Sequence, residues 1–555
     1  MPASTINRLG IGLVVALAAI AYANTFDGEF VWDDVSSVLL HEHVHNPADV
    51  WELFKENQHA FSGSAVQGRF YRPLVAVSFM ADFALSYDPA TQGPTADRPY
   101  PDVSPFLFHL TNLVWHTLAA LLLFLLLGRL GAPPAVRIVT ALIYAVHPLH
   151  TEAVSYISGR ADMMAAAFMF AGLLCALWSG GLLRRAIGAV LCGLCFLAGF
   201  LCKESAAIFP LLLLLVLLWR PQAKNEAETS TAVTVWLHRA LPLLGMVAGG
   251  VIYAVLRSNA ALPPAQETTA AGLATRLIEV GQALAFYLRT LFVPANLHME
   301  QTLAGTPVWT AAIGYTFLLT CLAAIAGAWR TGHRRIVLAL GWFLLTWFPI
   351  SGIFPLNAPM AEHWMYVPMA GFWWAIAEGV HLAASSTVLR RTAGAAAAVL
   401  IIAYTGLTIE RNQDWHSNVS LYEATLAENP ATMRVHYNLA VTYEELVGNR
   451  AGAQRHFQEA LALAGANAQP DAILSLGDLH FQQRRYIAAS LYYGQLAGTS
   501  SPATAPYRPA AILGLGKSFL ALGYVREATM ALQNAAQQEP AFARRVRKLE
   551  MGAPL

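Results

Sequence analysis

The stretch Phe30-Val31-Trp32-Asp33-Asp34 sets two carboxylates side by side. In extended backbone, neighbouring side chains point to opposite faces, so one acid can meet a substrate atom while the other turns inward. A carboxylate so placed can take the proton of an acceptor hydroxyl as a general base. Two solvated loop acids would read the same. Tyr71-Arg72-Pro73-Leu74 carries a guanidinium whose planar fork can meet a phosphate through two hydrogen bonds. The plainer alternative for Arg72 is an interfacial anchor that snorkels.

His109, Asn112 and His116 recur at i, i+3 and i+7, which sets them on one helical face. Polar side chains in an apolar segment are costly unless satisfied, so they mark either function or hydrogen bonds between helices. His147-Pro148-Leu149-His150-Thr151-Glu152 invites a zinc reading, but a weak one, because the proline breaks helical spacing and no cysteine supports it. Ser158-Gly159-Arg160-Ala161-Asp162, Cys202-Lys203-Glu204-Ser205 and Glu362-His363-Trp364-Met365-Tyr366 complete the set. Lys203 either pairs with neighbouring charge or holds a lipid phosphate.

The elements that must position these groups are apolar. The chain has 555 residues, 56% hydrophobic and only 12% charged, against about 25% charged in a soluble domain. Eleven stretches are long or apolar enough to be read as spans: 9–24, 105–127, 134–148, 161–181, 186–201, 205–219, 240–257, 308–329, 336–354, 363–382 and 392–408. Segment 9–24 also resembles a signal peptide, and an uncleaved anchor is preferred. Stretches 72–87 and 281–294 are expected to lie at the interface or dip in and return.

With Arg8 inside, the basic turns at Arg129/Arg137, Arg184/Arg185, Arg220/Lys224/Arg239, Arg330/Arg334/Arg335 and Arg390/Arg391 all fall on one side. The intervening loops are acidic or neutral, the largest being 25–104. The chemical motifs then gather on the outer side, and an odd number of spans leaves the C-terminal region outside. A net charge of +1 speaks against a nucleic-acid partner. The five cysteines lie in or beside apolar segments and indicate no disulfide framework.

Beyond residue 408 the pattern changes. Leu439-Ala440, Tyr443, Ala453, Phe457 and Ala460 form one set, and Leu476-Gly477, His480, Ala489 and Tyr493 a second. Leu515-Gly516, Phe519, Ala528, Leu532, Ala535 and Pro540 form a third. These are tetratricopeptide positions with a period of about 37 to 39 residues in place of the usual 34. An earlier half-repeat, 421–430, is expected to dock the array on the membrane part. The expected organisation is all-α: a multi-spanning membrane domain, 1–408, and an α-solenoid repeat domain, 409–555. The repeats either capture an extended partner or act as a structural cap.

In order along the chain, Trp-Asp-Asp, Tyr-Arg-Pro-Leu, His-Leu-Thr-Asn, His-Pro-Leu-His-Thr-Glu-Ala-Val, Ser-Gly-Arg-Ala-Asp and Lys-Glu-Ser, with the repeats behind them, resemble the transmembrane and tetratricopeptide repeat protein O-mannosyltransferases. These are multi-spanning enzymes of the glycosyltransferase C class, and the resemblance covers nearly the whole chain. It implies transfer of mannose or another hexose from a polyprenyl-phosphate carrier to Ser or Thr hydroxyls on the outer side, in a bacterial inner membrane or the endoplasmic reticulum. By the resemblance Asp33 is the base and Asp34 its support. Arg72, His109, Asn112, His147, His150, Glu152, Arg160, Asp162, Lys203, Glu204, Glu362, His363 and Tyr366 are then the donor- and substrate-binding set. The family carries Glu-Arg where this chain has Glu362-His363, so His363, or Arg72, Arg160 and Lys203, must take up that arginine's part. The implied partners are the lipid-linked donor, a protein acceptor on the repeats and membrane lipid. No cofactor is called for, and a divalent metal is left open. A non-catalytic scaffold whose repeats recruit envelope-assembly partners is the rival reading. A transporter would want its polar groups near the bilayer midplane.

Overall fold

The computed structural model describes residues 3–58, 70–88, 91–94, 100–219, 232–262, 272–354, 356, 358–464, 470–482, 484–499 and 504–538. Arg220 and Lys224 of an expected basic turn, and Pro540 of the third repeat, lie outside them. The described residues are helical, with an isolated bridge between Glu56 and Ala261. The chain divides into two compact units, Met1–Ser417 and Asn418–Leu555.

In the first unit each expected apolar stretch forms a helix, and so do the two stretches expected at the interface, as Pro73–Ser86 and Leu273–Phe292. Seven helices among the described residues are long and apolar enough to cross a membrane. They expose branched apolar side chains such as Val247, Val251, Val399 and Ile402, which suits contact with lipid tails. The chain is an integral membrane protein. Helices meet through small residues: a Cβ on Gly193 would strike the carbonyl of Gly245, so Leu182–Cys202 and Ala232–Ser258 approach backbone to backbone.

The stretch 134–148 is not one straight element. Its helix, Pro134–Val146, has 13 residues and is about 20 Å long, against an apolar core of roughly 30 Å. Pro148 cannot continue the helical ladder. The chain runs on from there in short turns, Pro148–His150, Thr151–Val154 and Ile157–Gly159, until the helix Arg160–Ala176 begins. Every residue from His147 to Gly159 is buried. Irregular backbone is tolerated beside a bilayer only when protein satisfies it, and this segment is where most of the chemical motifs meet.

In the second unit, helices Asn418–Glu428, Met433–Thr442, Arg450–Ala464, Pro470–Gln482, Tyr486–Gly498, Arg508–Ala521 and Val525–Gln538 follow one another, each packed on its chain neighbour. Ala440, Ala453, Phe457, Ala460, Leu476, Ala489, Tyr493, Ala528, Leu532 and Ala535 are all buried. Asn418–Glu428, which covers most of the expected half-repeat, packs on Met433–Thr442.

Candidate functional site

Asp34 is completely buried. Its carboxylate accepts the Val31 amide at 3.1 Å and the Ser158 amide at 2.7 Å, which ties its loop to the irregular segment. Burial pushes its pKa up to about 7, against the pull of hydrogen bonds from Ser158 and Val31 and with a push from the charge of Asp33. Asp33 is half-buried, and no described residue donates a hydrogen bond to its carboxylate. Just before it, Trp32 has φ +53°, a left-handed conformation that costs a non-glycine residue on the order of 1 kcal/mol. Such strain persists only where the surroundings fix it, and it gathers at functional sites.

Arg160 is fully buried and all its bonds turn inward. It pairs with Asp82 at 2.6 Å and donates to Asn112 Oδ1 at 2.7 Å, Ser78 Oγ at 3.1 Å and the Phe108 carbonyl at 2.9 Å. Asn112 in turn donates to the carbonyls of Val154, Tyr156 and Ile157. Asp82 also accepts from Thr111 at 2.8 Å. This arrangement holds the irregular segment against the helices Pro73–Ser86 and Phe106–Arg129 and leaves Arg160 no donor directed at a ligand.

Lys203 Nζ reaches both oxygens of Asp162 at 2.6 Å. Arg72 donates from Nε and Nη2 to one oxygen of Glu204, both at 3.1 Å, while the Tyr71 amide takes the other at 3.3 Å. Nη1 of Arg72 has no partner among the described residues, and the side chain is 15% exposed.

His363 Nδ1 lies 2.9 Å from Glu152 Oε1, and the His363 amide donates to Oε2 at 2.9 Å. Its imidazole is 27% exposed, and Nε2 has no hydrogen-bond partner among the described residues. Burial raises the Glu152 pKa, but the charge and hydrogen bonds of His363, with Arg411, outweigh it and hold the carboxyl below its usual value. Glu362 pairs with Arg411 at 3.2 Å, and Arg411 also grips Asp414 at 2.6 Å. Burial pushes Glu362 up to about 7, opposed by Arg411 and reinforced by Glu152.

The remaining motif side chains are interior. His116 joins the Tyr366 hydroxyl at 2.7 Å and the Ala145 carbonyl at 3.0 Å. His147 meets the Leu291 carbonyl at 3.0 Å and His150 the Tyr144 carbonyl at 2.8 Å. Each spends a ring nitrogen on backbone, and among the described residues no three groups assemble as metal ligands. His109 is buried against the Thr25–Gly28 turn.

The motifs therefore interlock, each holding another: Asp34 with Ser158, Arg72 with Glu204, Asp162 with Lys203, Arg160 with Asn112, Glu152 with His363, and His116 with Tyr366. Sequence reasoning missed Asp82 and Arg411. A lone carboxylate in an apolar helix and a lone arginine at the end of a span were the available signals. It also missed Tyr156, which stacks between Trp32 and Trp415.

Fold and site thus define a polytopic helical membrane protein with an interlocked ionic cluster, followed in sequence by a second helical unit. Curated proteins similar to it are named protein O-mannosyl-transferases. TMTC3 of Mus musculus is 25% identical over 504 residues, covering 84% of this chain and 52% of that protein. TMTC4 of Homo sapiens is 23% identical over 520 residues, covering 82% of this chain and 67% of that protein. The chain spans about half the length of the TMTC3 proteins it matches. It is a relative of the family that its motifs resemble. No protein-family model matches it. Among solved structures, the S. cerevisiae protein O-mannosyltransferase Pmt1-Pmt2 complex bound to the sugar donor aligns at 14% identity and TM-score 0.30, over 45% of this chain and 33% of that one. That likeness is too slight to argue from.

Proposed function

We propose that the chain transfers mannose, or another hexose, from a polyprenyl-phosphate carrier to Ser or Thr hydroxyls of proteins on the outer face of the membrane. The observation that carries this is the contrast between Asp33 and its fellow motif acids. Asp34, Glu152, Asp162, Glu204 and Glu362 are each engaged by a donor or a cation, while Asp33 alone of these acids, on an anchored, strained loop, has a carboxylate that no described residue engages. Asp33 takes the acceptor hydroxyl proton, and the oxygen attacks the anomeric carbon from the face opposite the phosphate. The bond to phosphate breaks with inversion and the lipid phosphate leaves.

Arg72 and His363 meet that phosphate, because each keeps a nitrogen without a partner and part of its surface open. Arg160, wholly spent on Asp82, Asn112, Ser78 and Phe108, acts as scaffold. Lys203 serves by holding Asp162. In this reading eleven helices span the membrane with the N-terminus on the cytoplasmic side. The second unit is a tetratricopeptide solenoid on the outer side that captures the acceptor, binding it away from the reacting atoms.

The test is purified full-length protein in lipid nanodiscs with a mannosyl-phosphoryl polyprenol and candidate outer-side proteins. Hexose on Ser or Thr, found by mass spectrometry and lost in Asp33→Asn, is the expected result. Partner capture without any sugar transfer in either form would mean a scaffold instead.

A further inference from the structure

The Asp33 loop is held by more than Asp34. The Trp32 ring stacks on Tyr156 with centroids 5.6 Å apart and planes inclined by 22°, and Tyr156 stacks on Trp415 at 5.3 Å and 29°. These three rings come from the acidic loop, the irregular segment and the turn Gln413–Trp415 that follows the last membrane helix. Tyr156 is fixed from below, since its carbonyl accepts from Asn112 and Asn112 is gripped by Arg160. Trp415 is buried, 1% exposed, and its indole nitrogen makes no hydrogen bond among the described residues. The ring is therefore held by stacking and by Arg411, whose guanidinium carbon lies 6.0 Å from its centroid.

The backbone on either side of the stack is laced together as well. The Glu29 amide donates to the His416 carbonyl at 2.8 Å. Asn412 donates to the Ala21 carbonyl at 2.8 Å and to Asn24 Oδ1 at 2.7 Å, and accepts from Ser155 Oγ at 2.9 Å. Asn24 donates back to the Ile409 carbonyl at 2.9 Å. The segments that meet here, 21–29 and 409–416, lie hundreds of residues apart in sequence and join just before the loop that carries the proposed base.

We propose that Trp415 is a positioning residue, which through Tyr156 keeps Trp32 in its left-handed conformation and so aims the Asp33 carboxylate at the acceptor oxygen. The inference rests on the reading of Asp33 as base. A left-handed tryptophan relaxes toward ordinary backbone when the stack on its ring is weakened, and relaxation at residue 32 swings the next side chain away from its place. A base displaced by about 1 Å loses on the order of 10²-fold in rate. Donor binding through Arg72 and His363 lies outside the stack and is left intact.

The experiment compares Trp415→Leu, Trp415→Phe and Asp33→Asn in the full-length protein, measuring kcat and the KM for the lipid-linked donor. The expected result is a fall in kcat for Trp415→Leu of about 10-fold to 100-fold with donor KM unchanged. Trp415→Phe, which keeps a stacking ring and loses no hydrogen bond, should stay near wild type. Unchanged kcat in Trp415→Leu beside an inactive Asp33→Asn overturns the positioning role while the base stands. Equal losses in the Leu and Phe variants also overturn it, because the ring then serves something other than stacking. An active Asp33→Asn removes the base, and the positioning role with it. Should Trp415→Leu fail to insert, Trp32→Leu against Trp32→Phe decides the matter at the other end of the stack.

Discussion

The two units fill their interiors by opposite means. The membrane unit buries charge: Arg160 with Asp82, Lys203 with Asp162, Arg411 with Glu362 and Glu152 with His363 sit among apolar helices. The C-terminal unit buries small residues against aromatic ones, with Gly477 and Gly514 closing on Tyr493. Buried ion pairs gain little stability over apolar packing, so their retention points to a demand other than stability. Close-packed small residues set helix spacing and the shape of a surface. The membrane unit fixes a few polar atoms in space, while the C-terminal unit fixes the spacing of its helices.

The largest effect should come from breaking the charge lattice on one side. Arg160→Leu leaves Asp82 buried and unpaired, which costs about 3 to 5 kcal/mol. The solubilised protein should melt markedly lower or fail to accumulate, and the double variant Arg160→Leu/Asp82→Leu should recover much of the loss. A single variant as stable as wild type would mean that the lattice is not what organises this unit. Next in size is Asp33→Asn, expected to lower transfer by about 10²-fold or more without moving the melting temperature, since no described residue bonds to that carboxylate.

Much of this lattice was legible as residues and little of it as partners. The motifs announce themselves because a polar group in an apolar run is costly. Their pairings span 124 residues from Asp34 to Ser158 and 211 from Glu152 to His363, and no local periodicity encodes contacts at that range. Asp82 was passed over because its helix was weighed only as an interfacial one. The break at His147 was visible in Pro148, but a hydropathy window averages across it. The boundary between units falls after Ser417, beyond the end of the hydrophobic run at 408, because the last membrane helix continues in polar residues to Asn412. Beyond Ser417 the spacing of small and aromatic residues is local, and most of the positions it singled out are buried.

A smaller effect is expected from the C-terminal unit. A Cβ on Gly514 would lie 2.5 Å from Tyr493 Cε1, so Gly514→Ala forces the ring aside at a cost of about 1 to 3 kcal/mol. Acceptor modification should weaken while binding of the lipid-linked donor, measured directly, stays as in wild type. Loss of donor binding in that variant would erase the division of labour between the two units.

The smallest effect is one of pH, and its sign separates the site from the fold. Asp34 goes from the ordinary carboxyl value of 3.8 to about 7 on burial. Folding therefore takes up a proton between those values, so this group's contribution to stability is full below about 4 and is lost as pH rises through 7. Activity should move the other way. The ionised carboxylate accepts both the Val31 and the Ser158 amide, whereas a protonated one turns an acceptor oxygen into a donor and loosens the loop that carries Asp33. Transfer should accordingly fall several-fold as pH is lowered through about 7, while the Asp34 part of the stability rises. The comparison is wild type against Asp34→Asn, whose amide can accept only one of the two N–H groups. That variant should be slow throughout and should lack the inflection, and its melting temperature should depend less on pH than that of wild type. Ordinary acid unfolding would drive activity and stability down together, and parallel curves would show that Asp34 supports the fold without tuning the base.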